Sequence, residues 1–210
     1  MKFVIVFVAF LGLAAAAPQP FDLIADIRRF LALIPQAETE ALFNSTYDTD
    51  AAFAGSVNFI RSPRFTELVL EVDAVPEFQA YFDFLESNNI PAYYWLNAIR
   101  TWLGVPEFVP ATSTGFVRRP VSKLPRSILP FVESWLGLLT HAEFVAVHED
   151  LIATSPDYNN LWAVYQSPEY ADVRAALTSN SVYIAATDEL DANGVFLTEA
   201  LDLIKAWLRQ

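Results

Sequence analysis

The chain has no cysteine, only six glycines and two histidines, and about half as many basic as acidic residues (13 against 25). Each shortage excludes something. Without cysteine there is no disulfide, no thiolate nucleophile and no thiolate metal ligand. Six scattered glycines leave no glycine-rich phosphate loop, and no G-x-S-x-G elbow occurs. The formal charge of -12 repels nucleic acid and anionic membrane. The only basic concentration is Arg118, Arg119, Lys123 and Arg126, set beside Pro120 and Pro125. It reads as an exposed linker.

Charged residues make up only 18% of the chain, against about 25% in an ordinary soluble domain. Apolar residues reach 54%. That surplus must fill a core, line an internal cavity or form an association surface.

Only the start of the chain carries a long apolar run. Lys2 is followed by Phe3 to Leu13, then by Ala14 to Ala17 and Pro18. A basic start, an apolar stretch and small residues describe a signal peptide, with cleavage expected after Ala16. The run is shorter than the roughly 20 residues of a membrane span. Its removal takes Lys2 away and leaves a net charge of -13. The mature protein is expected to be secreted, with no stable membrane insertion. Asn44, Ser45 and Thr46 form a glycosylation sequon in a polar, turn-like stretch. Used and unused are equally open readings of it.

A shift of 105 positions superposes two halves of the chain without a gap. From Ser62 to Leu103 there are 10 identities in 42 positions, against roughly 2 or 3 expected by chance. Ser62-Pro63 falls on Ser167-Pro168, Asp83 on Asp188, Asn88 on Asn193, and Trp102-Leu103 on Trp207-Leu208. The match continues upstream through Leu31/Leu136, Leu33/Leu138 and Ala37/Ala142.

Both copies carry helical periodicity. Phe65, Leu68, Val69 and Val72 make one stripe; Phe78, Tyr81, Phe82 and Leu85 a second; Ala92, Leu96, Ile99, Trp102 and Leu103 a third. Ile24, Ile27, Leu31 and Ile34 make another near the start. Ser62-Pro63, Ser155-Pro156 and Ser167-Pro168 each place a capping hydroxyl before a proline suited to the first helical position. Asn88-Asn89 and Asn193-Gly194 read as turns before the last helix of each copy. No sustained alternation argues for strands. The spacing predicts six helices per copy, at 20–34, 37–44, 50–60, 62–72, 75–87 and 91–103, and again after 125. The chain divides into the signal 1–16, a first repeat 17–104, a linker 105–125 and a second repeat 126–210.

No catalytic constellation emerges. His141 and His148 lie seven apart on one predicted helix, two turns from each other, with Phe144 and Val145 between them. That is not the adjacent-turn pair of a zinc site. Their counterparts in the first copy are Gln36 and Phe43. No metal, cofactor or catalytic residue is assigned. Asp83 and Asp188 are read as outward-facing.

The stretches FIRSPRFTELV (Phe59 to Val69), VPEFQAY (Val75 to Tyr81), FLESN (Phe84 to Asn88) and WLG (Trp102 to Gly104) resemble the insect allergen-related repeat. That family includes the cockroach group 1 allergen and insect midgut microvillar proteins. The second copy departs from the pattern with Ser181 in place of Pro76 and Arg174 in place of Val69. The resemblance implies an all-α capsule of two interlocked repeats around a large apolar cavity that holds fatty-acyl chains. It also implies secretion into the midgut lumen or near the microvillar surface. A non-enzymatic lipid carrier is the leading expectation. The alternatives are a nitrile-specifier-type detoxification protein acting on glucosinolate breakdown, and a structural protein of the gut barrier.

The positions whose apolar character persists in both copies are the candidates to line that cavity: Phe65/Tyr170, Leu68/Val173, Val72/Leu177, Phe78/Tyr183, Leu85/Leu190, Leu96/Leu201, Ile99/Ile204 and Trp102/Trp207. Core packing is the competing reading of the same stripes. The linker generates a first prediction. Limited trypsin digestion should cut at Arg118, Arg119 or Lys123 before any site inside a repeat. A first cut within a repeat, read by mass spectrometry of the fragments, would contradict the division.

Overall fold

The computed structural model describes residues 22–108 and 128–210. The expected signal segment lies outside them, as do the three linker trypsin sites. The described residues form twelve α-helices: α1 (Asp22–Leu31), α2 (Gln36–Thr49), α3 (Ala51–Ile60), α4 (Pro63–Asp73), α5 (Pro76–Ser87), α6 (Ala92–Leu103), α7 (Leu129–Leu136), α8 (His141–Thr154), α9 (Pro156–Tyr165), α10 (Pro168–Ser179), α11 (Ser181–Ala192) and α12 (Leu197–Leu208). No strand occurs among them. The fold is all-α, as the periodicity predicts.

Helix bounds recur at the 105-residue offset. α2, α3, α5 and α6 coincide with α8, α9, α11 and α12 at both ends, and α4 with α10 at its start. Local chemistry explains why. Ser62, Ser155 and Ser167 each accept the backbone N–H three residues on, at Phe65, Tyr158 and Tyr170. Proline occupies the next position in all three, where no N–H is missed. Asp50 and Asn180 cap α3 and α11 with carboxylate and amide oxygens. The turns before α6 and α12 both need a left-handed residue. Asn89 supplies it at φ 59° and Gly194, 105 residues later, at φ 77°.

Two ends differ from expectation: α1 stops at Leu31, three residues before the predicted 34. The sequence predicts that the second helix stops at residue 44, whereas α2 runs on to Thr49. The sequon therefore lies within a helix, with Asn44 exposed, and not in a turn. The hydroxyls that suggest a turn instead fold back on the helix. Thr46 donates to the Leu42 carbonyl at 2.8 Å and Thr49 to the Ser45 carbonyl at 2.6 Å.

The copies pack reciprocally. α4 lies against α11 and its counterpart α10 against α5; α1 lies against α8 and its counterpart α7 against α2. α1 also packs on α9, and α12 on α7 and α8. Three buried clusters result, and each draws on both copies. The largest joins Phe43, Phe53 and Val57 to Phe131, Trp135 and Phe144. A second joins Leu85 and Ile90 to Val164 and Tyr170. A third joins Leu23 to Leu151 and Tyr158.

Polar bonds reinforce the junction. Ser56, fully buried, donates to the Asn193 carbonyl at 2.7 Å, and Asn160 donates to the equivalent Asn88 carbonyl at 2.8 Å. Ser155 donates to the Asp26 carboxylate, both side chains being buried.

The linker does not start loose. Val105 and Phe108 are buried, and the Phe108 N–H donates to the Asn97 side-chain oxygen at 2.8 Å. Val105 and Phe108 thereby anchor the first four residues of the segment read as an open linker on α6.

Because all three clusters are shared, neither copy should fold alone. Residues 17–110 and 120–210, expressed separately, are expected to aggregate, dimerise or melt without cooperativity. Two soluble monomers with sharp thermal transitions would contradict the shared core.

Candidate functional site

The paired stripe positions occupy equivalent places on equivalent helices, with burial that varies along them. Leu68, Leu85, Tyr170 and Leu177 are buried. Phe65, Val72, Phe78, Leu96, Ile99, Trp102, Val173, Tyr183, Leu190, Ile204 and Trp207 are half-buried. Leu201 is the exception at 47% exposure, while its counterpart Leu96 is half-buried. The side of α12 that meets the largest cluster carries Ala200, Leu203, Ile204 and Trp207, and Leu201 stands to one side of that face.

Three neighbourhoods hold five of these residues. Leu85 and Tyr170 meet in the second cluster, with Tyr81, Phe82, Phe84 and Trp95 packed against it. Ile204 and Trp207 pack on the largest cluster, where Trp207 stands edge-on to Phe144 at 5.3 Å and to His141 at 5.0 Å. Phe78 joins Phe82, Tyr93 and Phe108 in an aromatic group, with Tyr93 and Phe108 stacked at 5.3 Å. Phe108 is a contributor that periodicity missed, because it stands beyond the last helix of its copy.

The histidines are part of this aromatic packing. His148 Nδ1 lies 2.9 Å from the Tyr158 hydroxyl, and its ring meets Trp162 edge-on. Among the described residues no group of three or more His, Cys, Asp or Glu is placed to hold a metal ion. Among the same residues no helix is long and apolar enough to cross a membrane. Asp83 and Asp188 are both exposed, as expected, and Asp83 accepts from the Tyr93 hydroxyl at 2.7 Å.

Two polar clasps went unread in the sequence. Arg64 of α4 grips Glu189 of α11 with two parallel hydrogen bonds, at 2.7 and 2.6 Å, and reaches Glu71 at 2.8 Å. The bonds to Glu189 and Glu71 push Arg64 above its already high ordinary pKa, so it stays charged at any working pH. Arg100 makes the second clasp, a fork on the Asp73 carboxylate, with one contact at 2.8 Å. Both groups are sealed from water, at 2% and 3% exposure. Arg100 also donates to the Pro106 carbonyl at 3.3 Å and lies over the Phe108 ring. It thereby ties the end of α4, α6 and the start of the linker into one unit. The signal available in the sequence was Arg100, the one charged residue of α6.

A hydroxyl group of a different kind lies between α5 and α10. Tyr81 and Tyr170 place their hydroxyl oxygens 3.1 Å apart, and Tyr165 stacks on Tyr170 with centroids 4.5 Å apart. Burial raises the pKa of both Tyr81 and Tyr170, so both phenols keep their protons.

The buried fork generates a prediction. Asp73→Asn leaves a buried guanidinium without its counter-charge and should cost about 3–5 kcal/mol in urea unfolding. The double variant Asp73→Asn with Arg100→Met should recover most of that loss. A single-variant loss below about 1 kcal/mol would show that the fork contributes little.

The family model described as "Insect allergen related repeat, nitrile-specifier detoxification" matches residues 22–201. A relative in Anopheles gambiae, Protein G12, is 22% identical over 196 residues, which cover 91% of this chain and 89% of that protein. With the match running through both copies, the chain belongs to the insect allergen-related repeat family.

Proposed function

We propose that the protein is a secreted, non-enzymatic lipid-binding protein that holds fatty-acyl chains in an apolar interior enclosed by its two repeats. The observation that carries this reading is incomplete burial of the paired aromatic side chains of the stripes. In a close-packed core, aromatic residues are nearly sealed. Phe53, Trp135 and Tyr158 meet that standard, at 2 to 4% exposure, and form ordinary core. The paired Phe, Tyr and Trp of the stripes, Tyr170 apart, stay half-open on the same helix positions in both copies. Apolar surface that is neither packed solid nor fully exposed suits an apolar ligand. An acyl chain gains about 0.8 kcal/mol per buried CH₂ before the costs of binding, so affinity needs no elaborate polar site. Secretion into the midgut lumen, or to the microvillar surface, accords with the apolar leader and with the family.

The family description favours one further reading, a specifier protein that redirects glucosinolate breakdown. It predicts altered product ratios when the protein is added to glucosinolate hydrolysis. A carrier leaves those ratios unchanged.

The lipid reading is tested by titrating the delipidated full chain with palmitate in a calorimeter. Saturable binding is expected, together with a thermal midpoint that rises as ligand is added. No heat and no shift in midpoint would overturn the proposal.

A further inference from the structure

α10 differs from its counterpart α4 at one position in the stripe. Val69 of α4 is half-buried; Arg174 takes its place on α10 and is exposed. Arg174 follows Tyr170 by four residues and precedes Leu177 by three, so it flanks the face on which those buried side chains stand. Its neighbours one turn away on α10 are Tyr170, Ala171, Leu177 and Thr178, none of them a carboxylate. Among the described residues its guanidinium makes no ion pair and no side-chain hydrogen bond. The other two arginines at the junction of the copies, Arg64 and Arg29, are both paired with carboxylates.

The helices that α10 meets are aromatic and hydroxyl-bearing. α10 packs against α5, which carries Tyr81, and against α11, which carries Tyr183. The Arg174 charge reaches both phenols, opposing the upward push of burial on each. The Tyr81 and Tyr170 hydroxyls are bonded to each other. A pair of hydroxyls uses one proton in its bond and keeps one for a further acceptor; Tyr165, stacked on Tyr170, stands beside the pair. Beside them lies the apolar cluster of Phe82, Leu85 and Trp95.

A cation with five donors, spare phenol protons and an adjoining apolar wall describe the end of a site for an anion with an apolar tail. We infer that Arg174, with the Tyr81–Tyr170 hydroxyl pair and Tyr183, receives the carboxylate of a bound acyl chain and makes the protein select acids over neutral lipids. The inference rests on the lipid-binding reading and adds a polarity to it: the acid end lies at α10, and the chain runs into the apolar cluster. The repeat supplies the frame on both sides, but Val69 makes the equivalent position of the first copy unable to do the same. One carboxylate end per molecule follows from this.

The test compares palmitate with methyl palmitate on the delipidated full chain, in the wild-type protein and in the variants Arg174→Gln and Arg174→Lys. Arg174 is exposed, so neither variant should disturb the fold, and circular dichroism checks this. The wild type is expected to favour the acid by about tenfold, the size of one charge-assisted hydrogen-bonding contact. Arg174→Gln should bring acid and ester to within about twofold, and Arg174→Lys should keep much of the preference. Acetate, a carboxylate without a chain, should not compete with palmitate. Equal affinity for acid and ester in the wild type, or a preference that survives Arg174→Gln, would overturn the assignment and leave lipid binding standing. Competition by acetate would also overturn it, by pointing to a site for small free anions. Binding of neither ligand removes the lipid reading itself.

Discussion

Twelve helices of only 8 to 14 residues cannot stand by themselves. Helices that short are marginal in water unless one face is buried, and here that face is supplied by the other copy. The reciprocal pairs α4 with α11, α5 with α10, α1 with α8 and α2 with α7 meet this requirement twice over. It also explains why every buried cluster crosses the junction. A copy that kept its own core would need longer helices, or would have to hide its aromatic stripes within itself. The composition points the same way: with 18% charged residues there is too little polar surface to cover two separate bodies.

The frame is symmetric, but its fasteners are not. The carbonyls of Asn88 and Asn193 stand at equivalent turns, and each accepts a bond from the third helix of the other copy. One donor is Ser56, and the other is Asn160, whose equivalent position in the first copy is Gly55. A longer side chain one residue earlier does the work of a shorter one. The clasps have no such parallel. Arg64 and Glu189 correspond to Glu169 and Phe84, Asp73 and Arg100 to Thr178 and Lys205, and Asp26 to Phe131. None of those pairs can close a salt bridge of the same kind. Backbone geometry repeats because caps, turns and periodicity are local. The side-chain pairs, Arg64–Glu189 and Ser155–Asp26 between the copies and Asp73–Arg100 within the first, each settled once, and this is where the two halves have separated in chemistry.

This division also sets what could be read in advance. Ser-Pro caps and Asn turns act over three or four residues, so most helix bounds were legible. α2 was one exception, because Ser45, Thr46 and Thr49 carry turn chemistry in sequence but bond back to their own helix in the fold. Periodicity marks which face of a helix is buried without naming what it meets. Tyr81 was visible in its stripe and Arg174 as a departure from one. That Tyr81 would meet Tyr170, 89 positions away, follows only from the packing of α5 on α10. Phe108 escaped for another reason: a proline-rich stretch has no period, and nothing local announces that its first four residues dock.

Stacked rings and charged clasps add directional contacts to the packing of the helices. Aromatic rings have two side-chain torsions and hold helices apart without losing contact. Phe43, Phe53 and Phe131 form one such brace, with centroids 4.8 to 5.9 Å apart. Phe30, Phe144 and Trp207 form another. The Arg64 and Arg100 clasps fix helix ends by directional bonds that need no packing behind them. A protein that relied on core density alone would collapse onto any space left inside it, because unfilled volume forfeits dispersion contacts. Braced rings and charged clasps carry part of that load by geometry as well as by density. Under the lipid-binding reading the acyl chain then supplies the missing contacts. Ligand and core are interchangeable packing, and occupancy and stability must rise together.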